Sequence, residues 1–310
     1  MSSPKILSRD RLTRPADAQQ TAPSSLSVRL WQVDAFTSQV FGGNPAAVAV
    51  LPHWLPDSTL AGIAAENNVS ETAFLVTDRP VRGTVKPAEG DAAYALRWFT
   101  PRMEVDLCGH ATLGAAWVLF QHLHRKAMRL TFATKSGPLV VTRRAMGPLS
   151  PLSMDFPARP AKPVDGAVAE QVASALGTKP SAVLKATMML AVFDSAAEVR
   201  ALKPDFAKVA ALPSDGLIAT APPDTDDPHA DFVSRYFAPA AGIDEDPVTG
   251  SAHCTLAPFW NQRLGKPDLL GRQLSARGGE VRCHLRGDRV ILSGRVAPYL
   301  EGRITVPQVP

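Results

Sequence analysis

The stretch "RWFTPRMEVDLCGHATLGAAWVLF", residues 97–120, reads as a strand, a polar loop and an apolar helix, and residues 235–260, "RYFAPAAGIDEDPVTGSAHCTLAPFW", repeat that order. Both copies run arginine, aromatic, phenylalanine, small residue, proline, then an acidic loop, a glycine and an apolar helix. A second pair lies upstream, where "LAGIAAENNVSETAFLVTD" precedes the first copy and "FAKVAALPSDGLIATAPPD" the second. Two blocks recurring in the same order mark an internal repeat. The expected fold class is α+β, two pseudo-symmetric halves with a cleft between them, one over residues 28–148 and the other over 149–310.

Strand-like and helix-like blocks alternate around the repeat. "SVRLWQVDAF" predicts a strand by its period of two, and "FGGNPAAVAVL" a glycine-rich turn feeding an apolar run. "PDSTLAGIAAENN" predicts a helix capped by Asp57 or Ser58, and "TAFLVTD" and "YALRWFT" further strands. "HATLGAAWVLFQHL" is apolar almost all round, the pattern of a buried helix. "KPAEGDA" reads as a loop, and "MRLTFATKSGPLVVTRR" as a hairpin turning at Ser136-Gly137.

With 310 residues, 45% hydrophobic and 20% charged, the chain has the composition of a globular protein with room for two cores. Its formal charge is +4, and half of that excess sits in residues 1–27, where Lys5, Arg9, Arg11 and Arg14 outnumber Asp10 and Asp17. The rest is nearly neutral, which gives no nucleic-acid footprint. Residues 1–27 lack the apolar core of a secretory signal, and their Ser, Pro, Gln and Arg content predicts a disordered extension. Lys185 interrupts the longest apolar run, "SAVLKATMMLAVF", so no membrane span is expected. Three cysteines without a CxxC pair suit a reducing, cytoplasmic location.

Each half brings a glycine and a small polar residue to the first turn of its buried helix: Gly109-His110 and Gly250-Ser251. Free N–H groups and the positive end of the helix dipole favour an anion there. Packed face to face, the two starts would hold one small carboxylate substrate. Glu71, in "NNVSETAF", stands at the mouth of an apolar strand. Such a carboxylate is more often solvated, whereas partial desolvation would tune it toward proton transfer. The second half offers Ser214-Asp215 at the matching place. Asp244, Glu245 and Asp246 form an acidic loop, in which Asp246 could face His110 across the cleft and hold it protonated or accept its N–H.

Cys108, His110, His253 and Cys254 carry the donor types of a zinc site, but His253 and Cys254 fall inside the first helical turns, so the four are not expected to converge. His122 and His124 have no second ligand pair nearby. There is no GxGxxG and no GxxxxGK[ST]. Neither a metal nor a cofactor is expected.

Four separated motifs, "VDAFTSQVFGGNPAAVAVL", "AAENNVSETAFL", "DLCGHATLGAAWVL" and "DEDPVTGSAHC", together resemble the PhzF family of phenazine-biosynthesis-like isomerases, built on the diaminopimelate epimerase fold. The resemblance runs from about Val28 to the C-terminus. It implies that each half is a β-barrel-like sheet wrapped on a central helix. It also implies that the glutamate of "SET", Glu71, is the acid/base, with His110, Asp246 and Ser251 shaping the site. The activity implied is a cofactor-free proton shift between carbons of a small carboxylic acid, similar to isomerisation of trans-2,3-dihydro-3-hydroxyanthranilate, and a homodimer fits the same resemblance.

Epimerases and racemases of this fold use two cysteines, one at each helix start. Aligning the halves by their glycines sets "CGHA" beside "TGSA", so the partner of Cys108 is Thr249, a hydroxyl with no tuned pKa. Cys108 is therefore read as a small structural residue. The extension and the loop "RPVRGTVKPAEGDAAY" depart from a compact member of the family. The expectation is a cofactor-independent isomerase; the alternatives are an amino-acid racemase or epimerase, and a non-catalytic small-molecule-binding protein.

Overall fold

The computed structural model describes residues 25–76, 92–225, 227 and 229–307. The first run of elements is β1 (Ser25–Ala35), β2 (Asn44–Leu51), α1 (Asp57–Asn67), β3 (Glu71–Val76), β4 (Ala92–Phe99), β5 (Glu104–Val105), α2 (Gly109–Val118), β6 (Arg129–Thr134) and β7 (Gly137–Arg143). The second opens with β8 (Leu152–Pro157), β9 (Lys162–Pro163), α3 (Gly166–Leu176), β10 (Ala182–Lys185), β11 (Met189–Val192), α4 (Ala196–Ala201) and α5 (Phe206–Ala210). It closes with β12 (Leu217–Ala221), β13 (Phe232–Phe237), α6 (Gly250–Leu264), β14 (Asp268–Gln273), β15 (Gly279–Arg286), β16 (Arg289–Gly294) and β17 (Val296–Pro307).

The repeat read in the sequence is a repeat of topology. In the first half β2 pairs parallel to β3 across α1, β3 antiparallel to β4, β4 parallel to β6 across α2, and β6 antiparallel to β7. In the second, β11 pairs parallel to β12 across α4 and α5, β12 antiparallel to β13, β13 parallel to β14 across α6, and β14 antiparallel to β15. Parallel partners need a crossover, and the helices supply it. The ends join the halves. β17 runs antiparallel along β1, and β8 bridges β7 and β16, so the strands form one continuous network.

Each half folds its sheet around one helix. Nine of the ten residues of α2 are buried, and the helix packs on β1, β2, β3, β8 and β17. The contact is close enough to require glycine, because a Cβ on Gly114 would stand 2.8 Å from Val33 Cγ2. The second central helix, α6, lies against β14, β15 and β16 and carries Pro258 in its interior. Proline has no N–H for the carbonyl four residues back. That carbonyl, on Cys254, instead accepts the backbone N–H of Arg159 at 2.8 Å.

The repeated arginines do the same work twice. Arg97 binds Glu104 through Nε and Nη2 at 2.7 and 2.9 Å, and Arg235 binds Glu245 through the same atoms at 2.7 and 2.8 Å. Each guanidinium also lies over the phenylalanine two residues on, Phe99 or Phe237. These forks brace the strand that leads into each central helix.

Several local expectations shift. The N-cap of α1 is Pro56, not Asp57 or Ser58, and the Asp57 carboxylate is used by Arg97 at 2.9 Å. The hairpin turns at Lys135-Ser136, one residue earlier than expected, because Gly137 already pairs with Thr134. In β1 the period of two fails at Leu30-Trp31, both buried, and again past the register shift between Gln32 and Val33, where Val33, Asp34 and Ala35 are all buried. Ser25 and Leu26, read as part of the extension, belong to β1 and pair with Pro307 and Val306. Residues 1–24 of that extension, and most of the loop "RPVRGTVKPAEGDAAY" with its "KPAEGDA" segment, lie outside the described residues. Among the described residues no helix is long and apolar enough to cross a membrane.

Candidate active site

The starts of the two central helices meet. A Cβ built on Gly109 would lie 3.8 Å from the Gly250 Cα, and one on Gly250 would lie 3.9 Å from the Gly109 Cα. The residue before each glycine, Cys108 or Thr249, is the N-cap in extended conformation, and neither caps its helix with a side chain. By contrast α3, α4 and α5 are capped by Asp165, Ser195 and Asp205. The N–H groups at the starts of α2 and α6 thus carry no side-chain cap, and the two starts meet at one place.

A cavity of about 480 Å³ opens there, with Gly109, Gly250 and Ser251 in its lining. Met103, Val105 and Leu107 form one wall and Ala238, Ala240 and Ile243 the other. Glu71, Cys108, His110, Asp215, Asp246 and Thr249 are among its polar groups. All the residues proposed from the sequence, Glu71, Gly109, His110, Asp246, Gly250 and Ser251, therefore border one cavity.

Glu71 is buried, 7% exposed, rather than solvated at a strand end. It opens β3, whose pairing with β2 sets it beside Ala46. Its Oε2 lies 2.9 Å from His110 Nε2, yet the two are not aligned as a hydrogen bond, and Oε2 has no other donor. Burial opposes a charge on His110, but the pull of Cys108 and Glu71 outweighs it and holds the imidazole pKa well above its ordinary value. The Cys108 thiol is pushed up to about 11, by burial first and then by the Glu71 charge. Glu71 is the carboxylate that His110 faces, 2.9 Å from its Nε2.

Asp246 faces His110 through charge but does not accept its N–H. Its Oδ1 accepts from Asn44 Nδ2 at 2.8 Å and its Oδ2 from Thr249 Oγ1 at 2.5 Å, so the carboxylate against His110 is Glu71. Asp246 still feels His110 through charge. Its pKa is raised to about 6, chiefly by burial, with His110 pulling it down and Glu71 pushing it up. Of the three acids in its loop, Asp244 is exposed and Glu245 is held by Arg235.

Two residues of the site carry no chemical signature in the sequence. Asn44 donates to Asp246 and to the Val248 carbonyl and accepts from Ser70 Oγ at 2.9 Å, which ties the neighbour of Glu71 to the opposite half. Gln273, wholly buried, accepts from Thr249 N at 2.9 Å and donates to the Asp246 carbonyl at 2.8 Å. The only available signal was positional. Asn44 stands between two glycines and a proline in "GGNP", where a turn alone was read.

The four residues considered for zinc do not converge. His253 Nδ1 donates to the Thr249 carbonyl at 2.8 Å, and burial drives its pKa down to about 4. Cys254 lies near Gly250 O in the body of α6. The donor atoms that do come together, among the described residues, are those of Glu71, Cys108 and His110, within 4.8 Å of one another.

Paired β-wrapped helices whose starts meet over buried acid/base groups define an epimerase-like α+β fold of the proline racemase and diaminopimelate epimerase kind. A hydroxyproline epimerase from Agrobacterium vitis shares that fold, with a TM-score of 0.54 over 91% of this chain and 93% of its own at 12% identity. The sequence profile of the PhzC-PhzF family, phenazine biosynthesis-like proteins, matches residues 33–302, and the chain belongs to that family. An uncharacterized isomerase of Pseudomonas aeruginosa is 47% identical over 279 residues, covering 90% of this chain and 99% of that protein. The human phenazine biosynthesis-like domain-containing protein is 38% identical over 296 residues, 90% of this chain and all of that one. A crystal structure of a PhzF-family protein from Enterococcus faecalis has a TM-score of 0.78 at 40% identity, over 90% of this chain and 99% of its own.

Proposed function

We propose that the protein is a cofactor-independent isomerase that moves a proton between carbons of a small carboxylic acid. The observation that carries this reading is Glu71: a buried carboxylate whose Oε2 lacks a donor, beside a charged imidazole, in a cavity between two uncapped helix starts. The substrate carboxylate binds the N–H groups at Gly109-His110 and Gly250-Ser251, which fixes the reacting carbon near Glu71. Glu71 takes the proton and returns it to a second carbon. His110 balances the charge on Glu71 while the carboxylate is ionised, and Asp246 sets the second helix start through Thr249. The apolar walls suit a compact hydrocarbon body.

Relatives named as isomerases support the reaction class. A two-thiol racemase is disfavoured, because Thr249 holds the N-cap place that Cys108 holds in the other half, and its hydroxyl is donated to Asp246. The test is a panel of small carboxylic acids, screened for thermal stabilisation and then incubated in D2O with the protein. Enzyme-dependent deuterium uptake with a shifted double bond supports the isomerase. Inversion at a stereocentre would point to an epimerase, and binding without exchange would leave a binding protein.

A further inference from the structure

Glu71, Cys108 and His110 have a second chemical capacity besides proton transfer. All three are buried and all three line the cavity. Cys108 Sγ lies 3.5 Å from His110 Nδ1 and 3.9 Å from Nε2, and Nε2 lies 2.9 Å from Glu71 Oε2. In a tetrahedral zinc site with Zn–S of about 2.3 Å and Zn–N and Zn–O of about 2.0 to 2.2 Å, neighbouring donors stand roughly 3.3 to 3.6 Å apart. The Cys108–Nε2 and Nε2–Glu71 spacings are within a few tenths of an ångström of that range, and all three donor atoms lie within 4.8 Å of one another. Glu71 Oε2 is a buried acceptor with no donor, the kind of atom a cation satisfies.

We propose that Glu71, Cys108 and His110 form an open three-donor site for a zinc-class divalent cation, and that filling it blocks proton transfer. Thiolate, imidazole and carboxylate together select a borderline-soft ion over magnesium or calcium, which prefer all-oxygen shells. On binding, the thiol proton and the imidazolium proton leave to solvent, and the ion's two charges are met by the thiolate and the carboxylate. Affinity therefore rises with pH. The fourth position faces the cavity. An ion there occupies the carboxylate that must stay free to receive a proton, so the inhibitory half of the proposal rests on the function proposed above and the binding half does not.

The test uses the full chain, freed of metal with chelator and titrated anaerobically with Co2+. One equivalent should bring up a thiolate-to-cobalt charge-transfer band with the visible bands of four-coordinate cobalt, stronger at pH 8 than at pH 6 and bleached by zinc. Cys108→Ser should lose the charge-transfer band, and Glu71→Gln should keep it while binding roughly tenfold or more weakly. The double variant Cys254→Ala/Cys283→Ala should retain it, which keeps the test decisive if Cys108→Ser does not fold. Absence of the band in the unaltered protein, or its loss with Cys254 and Cys283 alone, overturns the site whatever the activity. Deuterium exchange that persists with the site filled overturns the inhibition and, with it, the acid/base role of Glu71, while the site itself stands.

Discussion

The two helix starts occupy matched places in a duplicated fold but are furnished in opposite ways. At α2 the polar groups are under-satisfied: Glu71 Oε2 makes no aligned hydrogen bond, and His110 is buried beside it with its pKa held above the ordinary value. At α6 the turn into the helix is fastened: Asp246 accepts from Asn44 and Thr249, and Gln273 ties both ends of the Asp246 to Thr249 turn, while the unpartnered polar atoms, His253 Nε2 and Thr255 Oγ1, lie further along the helix. One start is poised and the other is fixed. Because the second half holds the cavity's shape, the first can carry groups whose hydrogen bonds are unmade, a configuration that costs stability and suits chemistry.

The contrast breaks first at Glu71. Glu71→Gln keeps the shape and loses the proton, so turnover should fall by about 10² to 10⁴, with ligand-induced thermal stabilisation retained. Activity above roughly a tenth of the original would remove Glu71 from the reaction. Next is the link between the halves. Asn44→Ala strips donors from Asp246 and Val248 and leaves Ser70 without its acceptor, for an expected loss of about 1 to 3 kcal/mol in stability. It should also slow turnover, and an unchanged melting curve and rate would show that the second start needs no such tie.

The fixed half is sharpened by pH. Asp246 is raised from 3.8 to about 6 by burial foremost. A carboxyl whose native pKa exceeds its unfolded value takes up a proton on folding between the two. Wild-type stability from this group therefore falls as pH rises from about 4 to about 6 and is level above. Asp246→Asn abolishes the titration, so over that window the variant should gain on the wild type by on the order of 1 to 3 kcal/mol in urea denaturation. A difference independent of pH would mean that Asp246 is not shifted. The smallest effect belongs to Cys108→Ala, which deletes one buried sulfur at about 1 kcal/mol and should slow turnover far less than Glu71→Gln. A variant as inactive as Glu71→Gln would make the thiol the proton carrier.

The duplicated topology was legible because it rests on apolar spacing and on the repeated Arg, aromatic, Phe and Pro, which local sequence displays. The convergence of Gly109 and Gly250 followed from that symmetry. What stayed hidden depends on tertiary distance. Glu71 read as solvated because nothing nearby in the chain shows that β2, β4 and α2 close over it. Asp246 was assigned to His110 because its competing donors, Asn44 and Thr249, include one from 202 residues away. Gln273 sits in a stretch, "GRQLS", with no pattern to flag it. The N-cap of α1 is Pro56 because Asp57 is already helical, and its carboxylate is used by Arg97, from β4.

The pairing of β1 with β17 bears on how the chain is made. Arg29 and Glu301 touch across 272 residues, so β1, made early, has one neighbour supplied only when β17 is made. At about 5 to 20 residues per second, that edge waits on the order of tens of seconds. Through that time the apolar Val28, Leu30, Trp31 and Val33 lack part of their cover, and the nascent half presents an open strand edge of the kind that recruits other chains. Synthesis rate and chaperone supply, rather than the final stability of the fold, should then set the yield of active protein.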